Sequence, residues 1–444
     1  MSHVLAPTPI EQRKITKEAS TDQTKHSKLP VVWNTHLMRD FCHQREMNRC
    51  TAWDAVLKKA EVGSFISIML VHVLLLLLHV CGGGASPIQC SDDQGKPVDW
   101  FYLYKLPHPH RTPAEEGLKY LYMDAGSEGW ADGKTLINDT QSAVGRTLAP
   151  LYEGGDVGYI LYNDQPPQKK NLGAGRTCGH TKGVVVFDKQ QGFWLVHSTP
   201  HFPPPKTEGG FSYPSSGINN GQNFICVTYP FERFQTIGEQ LNINQPHIYD
   251  CSIPASLAAA VPAMAQLCKH TLGRWENASS SPANRSISLL SLAGSEFISF
   301  AKGASFDNDL YHSWVAPTLQ SNLLVQFWRR STGILPSDCS QNWKVLNVDL
   351  ISPGQRVTFK ATADHSKWAI STDGGHVGTS GSWVCVGDIN RDEAEEKRGG
   401  GTVCHRDAVV WKAYRTAALQ CETCDGKVQT CDKAVMISLM KMSS

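Results

Sequence analysis

Gly179-His180-Thr181-Lys182-Gly183-Val184-Val185-Val186-Phe187 and Asp364-His365-Ser366-Lys367-Trp368-Ala369-Ile370 decide the reading of this 444-residue chain. Each places an imidazole two residues from an ammonium, and residues i and i+2 of a strand point to one face. A single His-x-Lys reads as two polar residues on a strand. Two of them in similar surroundings read as a pair, each offering a nucleophile or proton carrier beside a fixed positive charge.

The surroundings are alike. The first tripeptide leads into the apolar run Gly183 to Phe187, a turn from Lys189 to Gly192, and the Trp-led run Phe193-Trp194-Leu195-Val196-His197-Ser198. The second leads into Trp368-Ala369-Ile370, a Gly-rich stretch from Asp373 to Gly381, and Trp383-Val384-Cys385-Val386-Gly387-Asp388. Turn residues between apolar runs suit hairpins, and the repeated layout reads as an internal duplication.

Working outward, Val98 to Leu106 and Tyr159 to Tyr162 read as buried strands, as do Phe224 to Tyr229 and Trp343 to Val348. Helical spacing is read over Phe231 to Leu241, Ala255 to Cys268 with a kink or restart at Pro262, Ser291 to Lys302, Asp307 to Arg330 with an interruption at Pro317, and Ala408 to Leu419. The fold class expected is α/β: two similar lobes of mixed sheet flanked by helices, each contributing one His-x-Lys. The domains expected are a first lobe over 86–272 with His180 and Lys182, a Ser/Asn-rich linker over 273–287, a second lobe over 288–420 with His365 and Lys367, and a tail over 421–444.

Upstream, Phe65 to Val80 is almost wholly apolar and ends in Cys81-Gly82-Gly83-Gly84-Ala85. The run is short for a membrane span, and the small residues after it suit signal-peptidase cleavage near Ala85. Residues 69–85 are read as the signal core and cleavage region, with an uncleaved anchor as the rival. Residues 1–68 are read as an alternative or mispredicted leader, with Met47 or Met69 as the working start. After cleavage no stable membrane association is expected, and the protein is expected in the lysosome or secreted.

Removing residues 1–85 takes away 10 Lys+Arg and 7 Asp+Glu, leaving 32 against 34. That balance excludes a conventional basic DNA-binding chain at neutral pH. Eleven of the 17 histidines lie beyond residue 85, and their protonation in an acidic compartment would make a surface attractive to polyanions. The eleven cysteines beyond the cut are read as disulfide formers. Cys251 and Cys268 bracket one helix and are read as a pair, while Cys421, Cys424 and Cys431 read as a disulfide-bearing tail rather than a zinc site. Sequons at Asn138, Asn277 and Asn284 fit a glycoprotein.

Brought together, the two tripeptides suit a phosphodiester. Its hydrolysis needs a nucleophile, an acid for the leaving alkoxide, and positive charge for the phosphoryl oxygens. His180 and His365 divide the first two tasks, one attacking phosphorus to give a phospho-histidine and the other donating a proton. Lys182 and Lys367 hold the oxygens. No metal or other cofactor is called for, and activity is expected in mild acid. Arg398 to Gly401 reads either as a phosphate cradle or as an ordinary turn. His197, Asp388 and Asn390, which follow the two Trp-led strands, read as supporting or substrate-binding groups.

Tyr104-Lys105-Leu106-Pro107, Tyr162-Asn163-Asp164, Gly179-His180-Thr181-Lys182-Gly183, Gly192-Phe193-Trp194-Leu195-Val196-His197-Ser198, Asp364-His365-Ser366-Lys367-Trp368 and Cys385-Val386-Gly387-Asp388-Ile389-Asn390-Arg391 resemble the deoxyribonuclease II family. The resemblance runs from about Cys90 to Cys421, and Tyr249 to Pro254 looks more like the family's beta form. It implies a phospholipase D-like fold and metal-independent endonucleolytic cleavage of DNA at acid pH, leaving 3′-phosphate and 5′-hydroxyl ends. It implies a catalytic centre of His180, Lys182, His365 and Lys367, with His197 important. It also implies disulfides Cys90–Cys226 and Cys339–Cys404. The family usually has Cys after the second His-x-Lys-Trp, where this chain has Ala369, so Cys385 is expected to lack its bridge, at a cost of about 2 to 4 kcal/mol. Two other readings stay open beside the nuclease: a phospholipase D-like lipid phosphodiesterase, and a non-enzymatic glycoprotein that binds nucleic acid.

Overall fold

A computed structural model describes residues 87–167, 178–270, 275, 282–372 and 381–440 (for 437–440 the backbone only). The leader, the signal region, Asn277 and most of the 273–287 linker fall outside the described residues.

Strands β1 (Cys90–Ser91) and β2 (Pro97–Val98) pair in a small antiparallel ribbon. Then β3 (Trp100–Lys105), β4 (Tyr120–Asp124), β5 (Ala131–Asp132), β6 (Gly158–Asn163), β7 (Lys182–Phe187), β8 (Gln191–His197), β9 (Gln222–Pro230) and β10 (Ile248–Ser252) form an antiparallel sheet ordered β10-β6-β7-β8-β9-β3-β4-β5. The second sheet is built from β11 (Asn284–Leu290), β12 (Glu296–Lys302), β13 (Leu323–Gln326), β14 (Val345–Ile351), β15 (Phe359–Lys360), β16 (Trp368–Ser371), β17 (Trp383–Gly387), β18 (Gly400–Arg406), β19 (Ala418–Glu422) and β20 (Val428–Thr430). Its order is β11-β12-β18-β17-β16-β13-β14-β19-β20, with β15 beside β14. The pair β13 and β14 runs parallel, which makes the sheet mixed.

Period-two alternation builds the layers. Trp100, Tyr102 and Tyr104 of β3, Trp194 and Val196 of β8, Trp368 and Ile370 of β16, and Val384 and Val386 of β17 enter one core shared by both sheets. Their alternates Phe101, Leu103, Phe193 and Leu195 pack outward with Val144, Leu148 and Leu151 of the helix Ala143–Glu153. On the second sheet Ala369 and Cys385 pack outward with Tyr311, Val315 and Leu319. Fully burying one such side chain contributes about 1.5 to 3 kcal/mol, so sheet faces with large residues on both sides are held in a single register. The helices Arg233–Asn244 and Ala408–Ala417 add Phe234, Ile237, Leu241, Val410 and Tyr414 to the shared core.

Both His-x-Lys hairpins form, β7 with β8 and β16 with β17. The sequence reading errs on Ser291 to Lys302: Glu296–Lys302 is strand β12, paired on both sides with β11 and β18. Phe297 and Phe300 face opposite cores, so the two-sided burial of a central strand mimicked helical spacing. Helix over Asp307 to Arg330 is confined to a π-helical turn at Tyr311–Val315 and Ala316–Leu319. Gln320 then turns left-handed, at φ 50°, and β13 follows. The end of the expected linker, from Asn284, is strand β11. Residues past 420 complete β19 and β20 within the sheet rather than forming an appendage.

The disulfides bring a correction. Cys90–Cys226 and Cys251–Cys268 are paired in the structure, but Cys404 joins Cys385 and Cys339 joins Cys424. Cys385 and Cys404 lie directly opposite on β17 and β18, with Cα atoms 3.9 Å apart. With Ala369 in place of a cysteine, Cys385 takes its neighbour on the other side. Cys421–Cys431 is the fifth bridge. Asn138 is exposed, and Asn284 is half-buried at the start of β11. Among the described residues no helix is long and apolar enough to cross a membrane.

Candidate active site

Each His-x-Lys is the lead-in to a strand rather than its interior: Lys182 opens β7, and Lys367 directly precedes β16. Both lead-ins are stitched to the other sheet in the same way. The Lys182 N–H donates to Asp388 Oδ2 at 3.0 Å, and the Lys367 N–H donates to Asn223 Oδ1 at 3.0 Å. The His180 N–H donates to the Gly399 carbonyl, and the His365 N–H to the Gly221 carbonyl, each at 2.8 Å. Glycine is required at the first seam, because a Cβ on Gly179 or on Gly399 would lie 2.1 Å from the Asn244 carbonyl oxygen.

The two histidines meet opposite surroundings. His180 is buried, with Glu395 Oε1 2.5 Å from Nδ1 and Asp164 Oδ2 3.7 Å from Nε2. Lys182 Nζ donates to the other oxygen of Asp164. Arg398 reaches Asp164 Oδ2 and Glu395 Oε1, each at 3.3 Å, closing a buried network of two carboxylates and three basic groups. Burial lowers the His180 pKa, and the Glu395 and Asp164 charges offset part of that. Burial works to raise both carboxyls, yet the neighbouring cations win: Asp164 is held far below the usual carboxylate range by Lys182, His180 and Arg398, and Glu395 falls more modestly.

His365 is half-buried. Its Nδ1 donates to the Ser198 carbonyl at 2.8 Å, and Gln222 Oε1 stands 3.2 Å from the same nitrogen. That bond puts the proton on Nδ1 and makes Nε2 the nitrogen with the lone pair, which faces the Lys367 ammonium. Lys367 Nζ lies 3.2 Å from Nε2 and donates to the His365 carbonyl at 2.7 Å. Burial, then the charges of Lys367, Lys182 and His180, push the His365 pKa well below the ordinary imidazole value. Lys367 is itself lowered, by burial and by Lys182. Behind the motif, Asp364 accepts from Tyr104 Oη at 2.5 Å and from Ser366 Oγ at 2.6 Å, so the intervening serine braces the turn.

The supporting residues fall in three different places. Asp388 is buried on the Lys182 N–H, and burial pushes its carboxyl up to about 7. Asn390 holds the Trp328 N–H at 3.2 Å through Oδ1. His197 is fully buried between Phe202 and Phe224, its Nδ1 accepting from the Thr199 N–H at 3.2 Å, and burial drives its pKa far down. The Arg398 to Gly401 stretch is not an open cradle: Gly400 begins β18, and the Gly399 carbonyl already holds His180. Five of the histidines do not lie at the surface. His180, His197, His247, His312 and His405 are buried, and burial lowers each of their pKa values. Among the described residues no group of three or more His, Cys, Asp or Glu is arranged to hold a metal ion.

Residues 89–424 match the deoxyribonuclease II family. The chain belongs to that family. It is 43% identical over 355 residues to deoxyribonuclease-2-alpha of Mus musculus, covering 79% of this chain and 97% of that protein. It is 38% identical over 357 residues to deoxyribonuclease-2-beta of Homo sapiens and 36% identical over 357 residues to plancitoxin-1 of Acanthaster planci, each covering 79% of this chain and 96% of the relative. Identity is higher to this alpha form than to this beta form, against the local likeness of Tyr249 to Pro254.

In this deoxyribonuclease II chain the sequence reading located the histidines and lysines but not the groups that distinguish them. Glu395 sits in the acidic run Asp392 to Glu396, which reads as a solvated helix face; here that residue turns inward. Asp164 read as a strand stop, although Asn163 pairs with Lys182 across β6 and β7 and so delivers its neighbour to the lysine. Ser198, Gln222 and Asn223 carried no signal at all, since their roles come from the meeting of two sheets.

Proposed function

We propose that the chain is an acid endodeoxyribonuclease of a phospholipase D-like fold, acting on DNA without a divalent metal. The observation that carries the reading is the unlike pairing of the two histidines, His180 with carboxylates and His365 with lysines. His365 stays neutral in mild acid and is the nucleophile: Nε2 attacks phosphorus, the P–N bond forms, and the P–O5′ bond breaks. The electron pair leaves on O5′, which takes the proton of His180 Nε2. Neutral His180 then accepts a proton from water as it attacks the phospho-histidine. The P–N bond breaks, giving a 3′-phosphate and restoring both residues. Lys367 and Lys182 supply positive charge to the non-bridging oxygens, the task a metal performs elsewhere.

The pH sign follows from the two surroundings. Turnover needs His180 protonated and His365 neutral. His180 is lowered and His365 lowered further, so activity rises as pH falls below the ordinary imidazole value and is lost once His365 protonates. Five disulfides suit the lysosome or the exterior.

End-group analysis tests the reading. A labelled oligodeoxynucleotide cut at pH 5 in EDTA is expected to carry 3′-phosphate and 5′-hydroxyl ends. Products with 3′-hydroxyl and 5′-phosphate ends would overturn the assigned order of bond breaking.

A further inference from the structure

We infer that Trp328 and Arg330 form a nucleotide platform at the mouth of the site, Trp328 stacking the base beside the scissile phosphate and Arg330 taking a neighbouring phosphate. The inference rests on the proposed nuclease reading and names where its substrate is gripped.

Three observations carry it. His365 is the half-buried member of the four motif residues, whereas His180, Lys182 and Lys367 are buried, so solvent and substrate approach on its side. Trp328 stands on that side. It is half-buried, with its ring edge-on to His365 at 5.1 Å between centroids and an interplanar angle of 68°. Its backbone is fixed from behind, since the main-chain N–H is held by Asn390 Oδ1 and the main-chain carbonyl accepts from Ser331 Oγ at 3.3 Å. The main chain of Trp328 therefore keeps its place, and the Arg330 guanidinium lies 5.2 Å from the ring centroid. Arg330 is exposed.

An aromatic face with an exposed cation over it is what a base takes when it stacks. The planar base takes the indole face, and the guanidinium swings to a phosphate oxygen, where it bonds in a fork. Because every base has such a face, the platform is sequence-tolerant, as a degradative nuclease requires. It also gives Asn390 a task, which is to orient Trp328 rather than a histidine.

The test compares a short single-stranded oligodeoxynucleotide with a base-free strand of the same length built from tetrahydrofuran abasic residues. With Trp328→Ala, KM for the base-bearing strand is expected to rise about tenfold, with kcat and the pH profile kept and with no change on the base-free strand. Trp328→Phe restores most of the affinity. Arg330→Gln is expected to raise KM a few-fold on both strands and to flatten the salt dependence. An equal loss on both strands for Trp328→Ala, or a fall in kcat with a shifted pH profile, would overturn the platform and leave Trp328 as a positioning residue for His365. If the wild-type protein cleaves neither strand, the nuclease reading itself fails.

Discussion

Glu395 Oε1 lies 2.5 Å from Nδ1 of His180, on the side away from the nitrogen that faces Asp164. The Glu395 charge raises the proton affinity of His180 against burial. Replacing Glu395 by Gln removes the charge and keeps the shape. The pH at which activity appears should then move lower, and the rate at pH 5 should fall about tenfold or more. A variant with the wild-type pH profile would break the link between Glu395 and the proton on His180.

Lys302 holds the segment that carries Glu395. Its buried ammonium donates to the carbonyls of Glu395, Glu396 and Arg398 at 2.8, 2.9 and 2.6 Å. Lys302→Met leaves these acceptors unanswered, at a cost of about 2 to 3 kcal/mol. Chemical denaturation should record that loss, with activity reduced and a pH profile shifted as in Glu395→Gln. Wild-type stability would remove Lys302 from this role.

The disulfide pattern is open to peptide mapping under non-reducing conditions. A peptide joining Cys385 to Cys404 and another joining Cys339 to Cys424 are expected. Cys385→Ser should destabilise the protein by about 3 kcal/mol, since the closed loop spans 19 residues. A Cys339–Cys404 peptide would restore the pairing implied by family resemblance.

Asp388 links stability to pH. Its folded pKa is raised to about 7 by burial, so its contribution is present below the ordinary carboxylate value and lost as pH rises through about 7. The buried histidines act in the opposite direction, with their stability lost as pH falls, but they are common to wild type and to Asp388→Asn. The Tm difference, wild type minus variant, should therefore shrink by a few degrees between pH 5 and pH 8. A difference constant over that range would assign Asp388 an ordinary, solvated titration.

Much of this was legible where short-range chemistry decides. Apolar alternation placed β3, β7, β8, β16 and β17, and the tripeptides marked where two hairpins begin. It was not legible where the partner strand decides. Ser291 to Lys302 reads as a helix until β11 and β18 flank it, and the Cys339–Cys404 pairing that the family resemblance implies gives way once the register of Cys404 against Cys385 is known. The site divides likewise: His180 and His365 are identical in sequence terms, and only Glu395 and Asp164 on one side, with Lys367 and the Ser198 carbonyl on the other, set their surroundings apart.

The central claim is that the two tripeptides form one acid-dependent phosphodiester site, and supercoiled plasmid at pH 5 in EDTA tests it most directly. The wild-type protein should nick the plasmid, while His180→Ala and His365→Ala, each folded and secreted, should each leave it intact. Nicking that survives in both variants, or an intact plasmid with the folded wild-type protein, would contradict the account.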